Sequence, residues 1–130
     1  MSTPMLTAQL VGPTGTALPP DPGPQAYTLL ANANAIGPGQ GVTGIRGGDY
    51  LWRVEGTFSG VTATLQVLGL DGTTWSNLKD SGGADVAFTA SGVGAFQRGI
   101  GAAQGAALRV AVTGSPTGAV LLNSTIGGLG

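Results

Sequence analysis

Charge is what this chain has least of. Its 130 residues include only five Lys or Arg and six Asp or Glu. A soluble domain averages about 25% charged residues, or about 32 for a chain of this length, and an isolated globule uses them to stay soluble and apart from its neighbours. Disorder does not account for the shortage, because disordered chains combine low hydrophobicity with high net charge. Here 42% of the residues are apolar and the mean hydropathy is positive, at +0.27. The expectation is a folded chain whose outer surface is largely covered by copies of itself or by another protein.

The sequence also has no His and no Cys. That removes the usual nucleophile–base pairs, zinc sites and disulfide staples, and leaves the redox compartment open. The net charge of −1 provides no basic footprint for nucleic acid, and the four Arg and one Lys are scattered singly. Met1-Ser2-Thr3-Pro4 carries no basic region or long apolar run, so no secretory signal is expected. Gly, Thr and Pro interrupt every apolar run, so no membrane span is expected either. A carboxylate pair for sugar hydrolysis needs a second well-placed acid. Glu55 is the sole Glu, and Asp21, Asp49, Asp71, Asp80 and Asp85 read as turn or strand-edge residues. Asp80 and Asp85 flank Gly82-Gly83 without the acidic spacing of a calcium loop. Gly37-Pro38-Gly39-Gln40-Gly41 and the Gly99–Gly105 stretch lack the helix, and the former also the Lys, that phosphate cradles require. No cofactor and no catalytic role are expected.

Gly is plentiful, at 25 residues, joined by eight Pro. The Gly follow no fixed period and separate alternating apolar stretches, as turn residues do in a β-rich chain. Residues 1–24 stand apart as an extended N-terminal arm. Met5-Leu6-Thr7-Ala8-Gln9-Leu10-Val11 reads as one short extended segment, followed by five prolines within residues 13–24. Pro cannot donate to a sheet ladder, so that stretch is a connector. The apolar content of Met5, Leu6, Leu10 and Val11 predicts an arm laid on a neighbouring molecule.

From residue 25 to 130 the turn signals recur about every 8–12 residues, the spacing of an all-β sandwich or barrel. Strands are expected at Tyr27–Ala31, Asp49–Phe58, Val61–Leu70, Thr73–Leu78, Asp85–Ala90, Ala95–Ile100, Ala106–Thr113 and Ala119–Ile126. Asp71-Gly72 is the strongest hairpin signal, and Gly114–Gly118 reads as a five-residue hairpin loop. The fold class is therefore all-β: an antiparallel β-sandwich of about eight strands, a jelly roll being one form open to it. The expected inward set is Tyr50, Trp52, Val54, Phe58, Leu65, Val67, Trp75, Phe88, Phe96, Leu108, Val110, Val112, Val120, Leu122 and Ile126, with Trp52 and Trp75 as core anchors. A core this thin in a Gly-rich chain is marginal alone, and burial between subunits would offset the deficit. Arg46, Arg53, Arg98 and Arg109 are expected on solvated or inter-subunit strand faces, available for a partner's carboxylates.

Two stretches, Gly56–Trp75 (GTFSGVTATLQVLGLDGTTW) and Ala107–Gly118 (ALRVAVTGSPTG), resemble small structural proteins of tailed bacteriophages: capsid decoration (cement) or head-fibre proteins. The resemblance covers residues 50–126 and leaves the arm unmatched. It implies a β-sandwich module with no catalytic residues to carry over. It further implies a homo-oligomer, commonly a trimer at a local three-fold axis, clamping major capsid protein subunits on the outer surface of the virion. Two other classes remain open on the residues alone. One is a receptor- or carbohydrate-binding module of a tail or fibre, which would need exposed aromatics. The other is a small polysaccharide hydrolase, which would need a carboxylate near Glu55.

Overall fold

The computed structural model describes residues 26–129, which form strands and loops without a helix. The Met5, Leu6, Leu10 and Val11 segment lies outside the described residues. Ten strand segments follow: β1 (Ala26–Ala33), β2 (Gly37–Pro38), β3 (Val42–Ile45), β4 (Gly48–Thr57), β5 (Thr62–Leu68), β6 (Trp75–Asn77), β7 (Ala87–Thr89), β8 (Val93–Ala102), β9 (Ala106–Thr113) and β10 (Leu121–Gly128).

Period-two alternation builds the core from these segments. In β4, Tyr50, Trp52 and Val54 are buried while Arg53 and Glu55 are exposed. The same alternation buries Ala63 and Leu65 from β5, Leu108, Val110 and Val112 from β9, and Leu122 and Ile126 from β10. Trp52 brings a polar N–H into this interior, and its Nε1 donates to Ser124 Oγ at 2.9 Å. Ser124 Oγ in turn donates to the Arg53 carbonyl at 2.8 Å, so the buried polar pair is satisfied. An aromatic chain runs from Trp52 to Phe88 (ring centroids 4.7 Å apart), on to Phe96 (5.4 Å) and to Phe58 (5.4 Å). It links β4, β7 and β8 across the two sheets.

One sheet has the order β1-β10-β4-β8. In the other, β2 and β3 share one edge of β9, β5 follows, and β6 and β7 share the far edge of β5. All pairings are antiparallel. Counting each shared edge as one position gives eight positions, in the order of a jelly roll. The expected sandwich is therefore what the chain forms, with the extra segments in the region read as a Gly-Pro loop. There Gly37 and Pro38 pair with Val112 and Ala111, which is permitted because Pro38 lies at a sheet edge.

Two expectations are corrected. Gly114–Gly118 does not close a hairpin, because β9 and β10 lie in different sheets. The loop is an arch between the sheets, held to the β4–β5 arch by Thr117 N donating to Ser59 O (2.9 Å) and Ser59 Oγ donating to Ala119 O (2.5 Å). Strands of opposite sheets face one core, so their apolar alternation is the same as that of a hairpin. Trp75 is not a core anchor either. It pairs with Leu68, two residues from the outward Gln66, and so lies on the outer face. The Asp71-Gly72 register is as expected, and that register itself turns Trp75 away from Leu65.

Candidate interaction surfaces

The outer face of the β1-β10-β4-β8 sheet is nearly bare of charge. Cross-strand rows place Leu121, Thr57 and Val93 side by side, then Asn123, Glu55 and Ala95, then Thr125, Arg53 and Gln97, then Gly127, Leu51 and Gly99. Val93 is 82% exposed and Leu121 47%. Arg53 and Glu55 neutralise one another, with Nε 3.5 Å from Oε1. Asp49, beside Gly101 in the next row, adds one carboxylate, so the rows across β4, β8 and β10 hold three charged residues with a net charge of −1.

The outer face of the other sheet is polar and cross-linked. The Arg109 guanidinium carbon lies 4.5 Å from the centroid of the Trp75 ring. Arg109 Nε donates to Gln66 Oε1 (2.8 Å), Gln66 Nε2 donates to Asn77 Oδ1 (2.9 Å), and Asn77 Nδ2 donates to Asp85 Oδ2 (3.2 Å). Lys79 Nζ completes the chain on Asp85 Oδ1. The tip of the Trp75 ring reaches the backbone at Gly41, so the indole is half-buried on this face rather than projecting from it.

Arg98 occupies a third position. It is paired with Trp52 across β4 and β8 and shares that residue's inward register, at the sandwich edge. Its Nη2 lies 3.8 Å from Asp80 Oδ2 on the opposite sheet's β6–β7 connection. A depression of about 290 Å³ opens here, lined by Leu78, Asp80, Val86, Arg98 and Ile100 among others. Arg46 lies in the β3–β4 connection, where its carbonyl accepts the Tyr50 hydroxyl. The four Arg expected to anchor a partner therefore do not converge: they lie on two faces, one edge and one loop.

Asp71, Asp80 and Asp85 organise the loops in which they sit. Asp71 Oδ2 accepts from Thr74 Oγ1 (2.6 Å), and Oδ1 accepts from the Thr74 and Thr73 amides (2.9 and 3.0 Å). These bonds, led by the Thr74 hydroxyl, hold its carboxyl well below the usual range. Asp80 is lowered first by the Ala84 amide, and Asp85 by Lys79. Burial pushes the Tyr50 hydroxyl up, reinforced by Tyr27. No group of three or more metal-ligating side chains is found among the described residues. Sequence reasoning placed Arg53 on a solvated or inter-subunit strand face but did not assemble the cross-strand rows of that face, for which Val93 and Leu121 beside strand alternation were the signal. Comparisons with protein-family models, curated proteins and solved structures find no match to this chain.

Proposed function

We propose that this chain is a non-enzymatic structural protein of a tailed-bacteriophage virion, a decoration protein that binds the outer surface of the assembled capsid and stabilises it. The observation that carries this reading is the outer face of the β1-β10-β4-β8 sheet, which exposes Val93 and Leu121 and carries only Asp49, Arg53 and Glu55 as charged residues. Four strands at about 4.8 Å spacing and about ten residues long present roughly 600 Å² in projection. That approaches the ~800 Å² per partner of a stable protein interface. A ligand that binds an assembled lattice more tightly than its free subunits stabilises the lattice by linkage. The carboxylates with defined partners serve turns and ion pairs, which accords with a role outside catalysis. The jelly roll is used by viral capsid proteins and lectins alike, so the fold alone does not choose between readings.

Adding the purified protein to undecorated capsids tests the proposal. Binding should saturate at a fixed copy number and persist at about 1 M salt, because few ion pairs are available to be screened. One observation favours a second reading, a glycan- or receptor-binding module: Trp75 lies on an outer face beside Gln66, Asn77 and Arg109. Absence of binding to any capsid, together with glycan binding abolished by Trp75→Ala, would replace the first reading with the second.

A further inference from the structure

We propose that two copies of this chain join through the free edges of their β8 strands, antiparallel and about a two-fold axis at Gln97, so that two four-stranded sheets run on as one. The contact is two-fold, unlike the three-fold assembly that the resemblance implies, and it is independent of what the assembled protein binds.

β8 is the terminal strand of its sheet, and among the described residues it pairs only with β4. Phe58 N donates to Gly92 O just beyond that ladder, at 2.9 Å, which fixes its phase. Bonded and non-bonded pairs alternate in an antiparallel ladder, so the main chain of Gly94, Phe96, Arg98, Ile100 and Ala102 bonds to β4. The N–H and C=O groups of Val93, Ala95, Gln97, Gly99 and Gly101 point away from the sheet, and all five residues are exposed. No hydrogen bond reaches those groups from any described residue.

Sheet edges are normally blunted by Pro, Lys, bulges or short length. β1 has two register shifts, the β2–β3 edge has Pro38 and a shift, and β6 and β7 are three residues each. β8 runs ten residues in unbroken register without Pro or Lys. Among the described edges that a second copy can offer, β8 is therefore the one that matches β8. A ladder centred on Gln97 sets Gln97 opposite its counterpart, Ala95 opposite Gly99 and Val93 opposite Gly101, and closes a bonded pair at every outward residue. Along that row each apolar side chain faces a glycine, and the two Gln amides bond to each other. Centring the ladder on Phe96 or Arg98 leaves Gly101 or Val93 without a partner on the strand.

Charge selects the same register. Arg98 is the one charged residue of β8, and centring on it would set two guanidinium groups directly opposite, which is destabilising. Around Gln97 the two Arg98 side chains stand diagonally, at about 7–8 Å. Each then faces Phe96 of the other copy and keeps its own Asp80, 3.8 Å away. Main-chain pairing supplies affinity without charge, which suits a chain with so little of it. The contact is also closed: each copy's β8 is used up by the other, so pairing stops at two. A long bare edge would otherwise invite open-ended association.

The absence of native Cys makes a cross-linking test free of background. Under mild oxidation Gln97→Cys should give a disulfide-linked dimer, because directly opposed bonded residues have Cα atoms about 5.5 Å apart, within disulfide reach. Ala95→Cys and Gly99→Cys should link to one another when mixed and not to themselves, since a four-residue offset is about 14 Å. A Cβ at Gly99 has no neighbour closer than 4.0 Å, so that variant is accommodated. Gln97→Pro removes one outward amide without touching the β4 ladder; it should keep the circular-dichroism spectrum of the parent and sediment as a monomer where the parent is a dimer. Gln97→Lys and Gln97→Glu each bring like charges together at the axis and should self-associate up to about five-fold more weakly, while their mixture recovers association. The proposal is overturned if Gln97→Cys gives no linked dimer, or if Ala95→Cys links to itself as readily as to Gly99→Cys. Parent-like dimerisation of Gln97→Pro, or a Lys–Glu mixture that associates no better than either variant alone, overturns it equally.

Discussion

Replacing Gly56 by Ala should be far more damaging than replacing Gly72, although both have positive φ. Gly56 sits in β4 at φ +134° between Gly94 of β8 and Leu122 of β10. A Cβ there would stand 2.0 Å from the Leu121 carbonyl oxygen and 3.0 Å from its carbon. Both are backbone atoms of a central strand, so nothing flexible can give way. The φ alone costs about 1–3 kcal/mol for a non-Gly residue, and displacing β10 from β4 raises the total to about 4 kcal/mol, at the upper end of single substitutions. Gly72, at φ +78°, has open space where a Cβ would stand, with no atom within 4 Å, so its replacement costs the backbone conformation alone, about 1 kcal/mol. At about 4 °C per kcal/mol for a domain of this size, the melting temperature should fall by about 15 °C for Gly56→Ala and about 4 °C for Gly72→Ala. Urea unfolding followed by Trp fluorescence separates them. Stability losses equal within about 0.5 kcal/mol, the scatter of ordinary surface substitutions, would refute the close approach of β4 and β10 as the cause.

The two Trp should report opposite surroundings. Trp52→Phe should remove the blue-shifted, quencher-resistant emission and, by taking away the donor to the buried Ser124 Oγ, cost about 1–3 kcal/mol; Trp75→Phe should remove the acrylamide-accessible emission and leave stability within about 1 kcal/mol. Acid should destabilise the chain as the pH falls below about 4, the ordinary Asp range, because Asp71, Asp80 and Asp85 are lowered in the fold and their contribution is present above that range and lost as they protonate. The sign reverses for Tyr50: its raised value means stability is complete below about pH 10 and is lost as the pH rises through the folded value. Urea midpoints measured across about pH 2–11, with Asp71→Asn and Tyr50→Phe as controls, check both limbs.

The sandwich is legible in the sequence because its strands alternate cleanly. Ala106–Thr113 is a strand with the bounds its alternation predicts, and eleven members of the expected inward set, including Trp52, Leu65 and Val110, are buried. What alternation cannot encode is which sheet a strand joins. β9 and β10 carry the pattern of a hairpin and are separated by turn residues, yet each pairs elsewhere, since inward positions of both sheets meet in one core. Leu29, Ile45 and Val86 are buried outside the expected set, because bulges or short strands break their local period. Trp75 departs from expectation for another reason: its size suggests a core anchor, but the Asp71-Gly72 turn sets its register opposite the outward Leu68. The candidate surface is least legible, since the small and apolar residues that make it, such as Ala95, Gly99 and Leu121, read singly as strand filler and acquire meaning only as neighbours across β4, β8 and β10.

The shortage of charge is deeper than the composition states. Arg53 is matched by Glu55, Lys79 by Asp85 and Arg98 by Asp80, while Asp71 is turned onto its own loop and Arg109 onto Trp75 and Gln66. Exposed pairs of this kind add little stability, so their effect is chiefly to cancel local fields. A surface with few charges, most of them cancelled, gives copies little long-range repulsion. Under the proposed function, a partner laid in a defined way on the apolar rows of the β1-β10-β4-β8 sheet is what would keep such a chain from indiscriminate association. Neutral contact through main chain and small side chains is what that face offers, and it is the reason binding there is expected to be insensitive to salt.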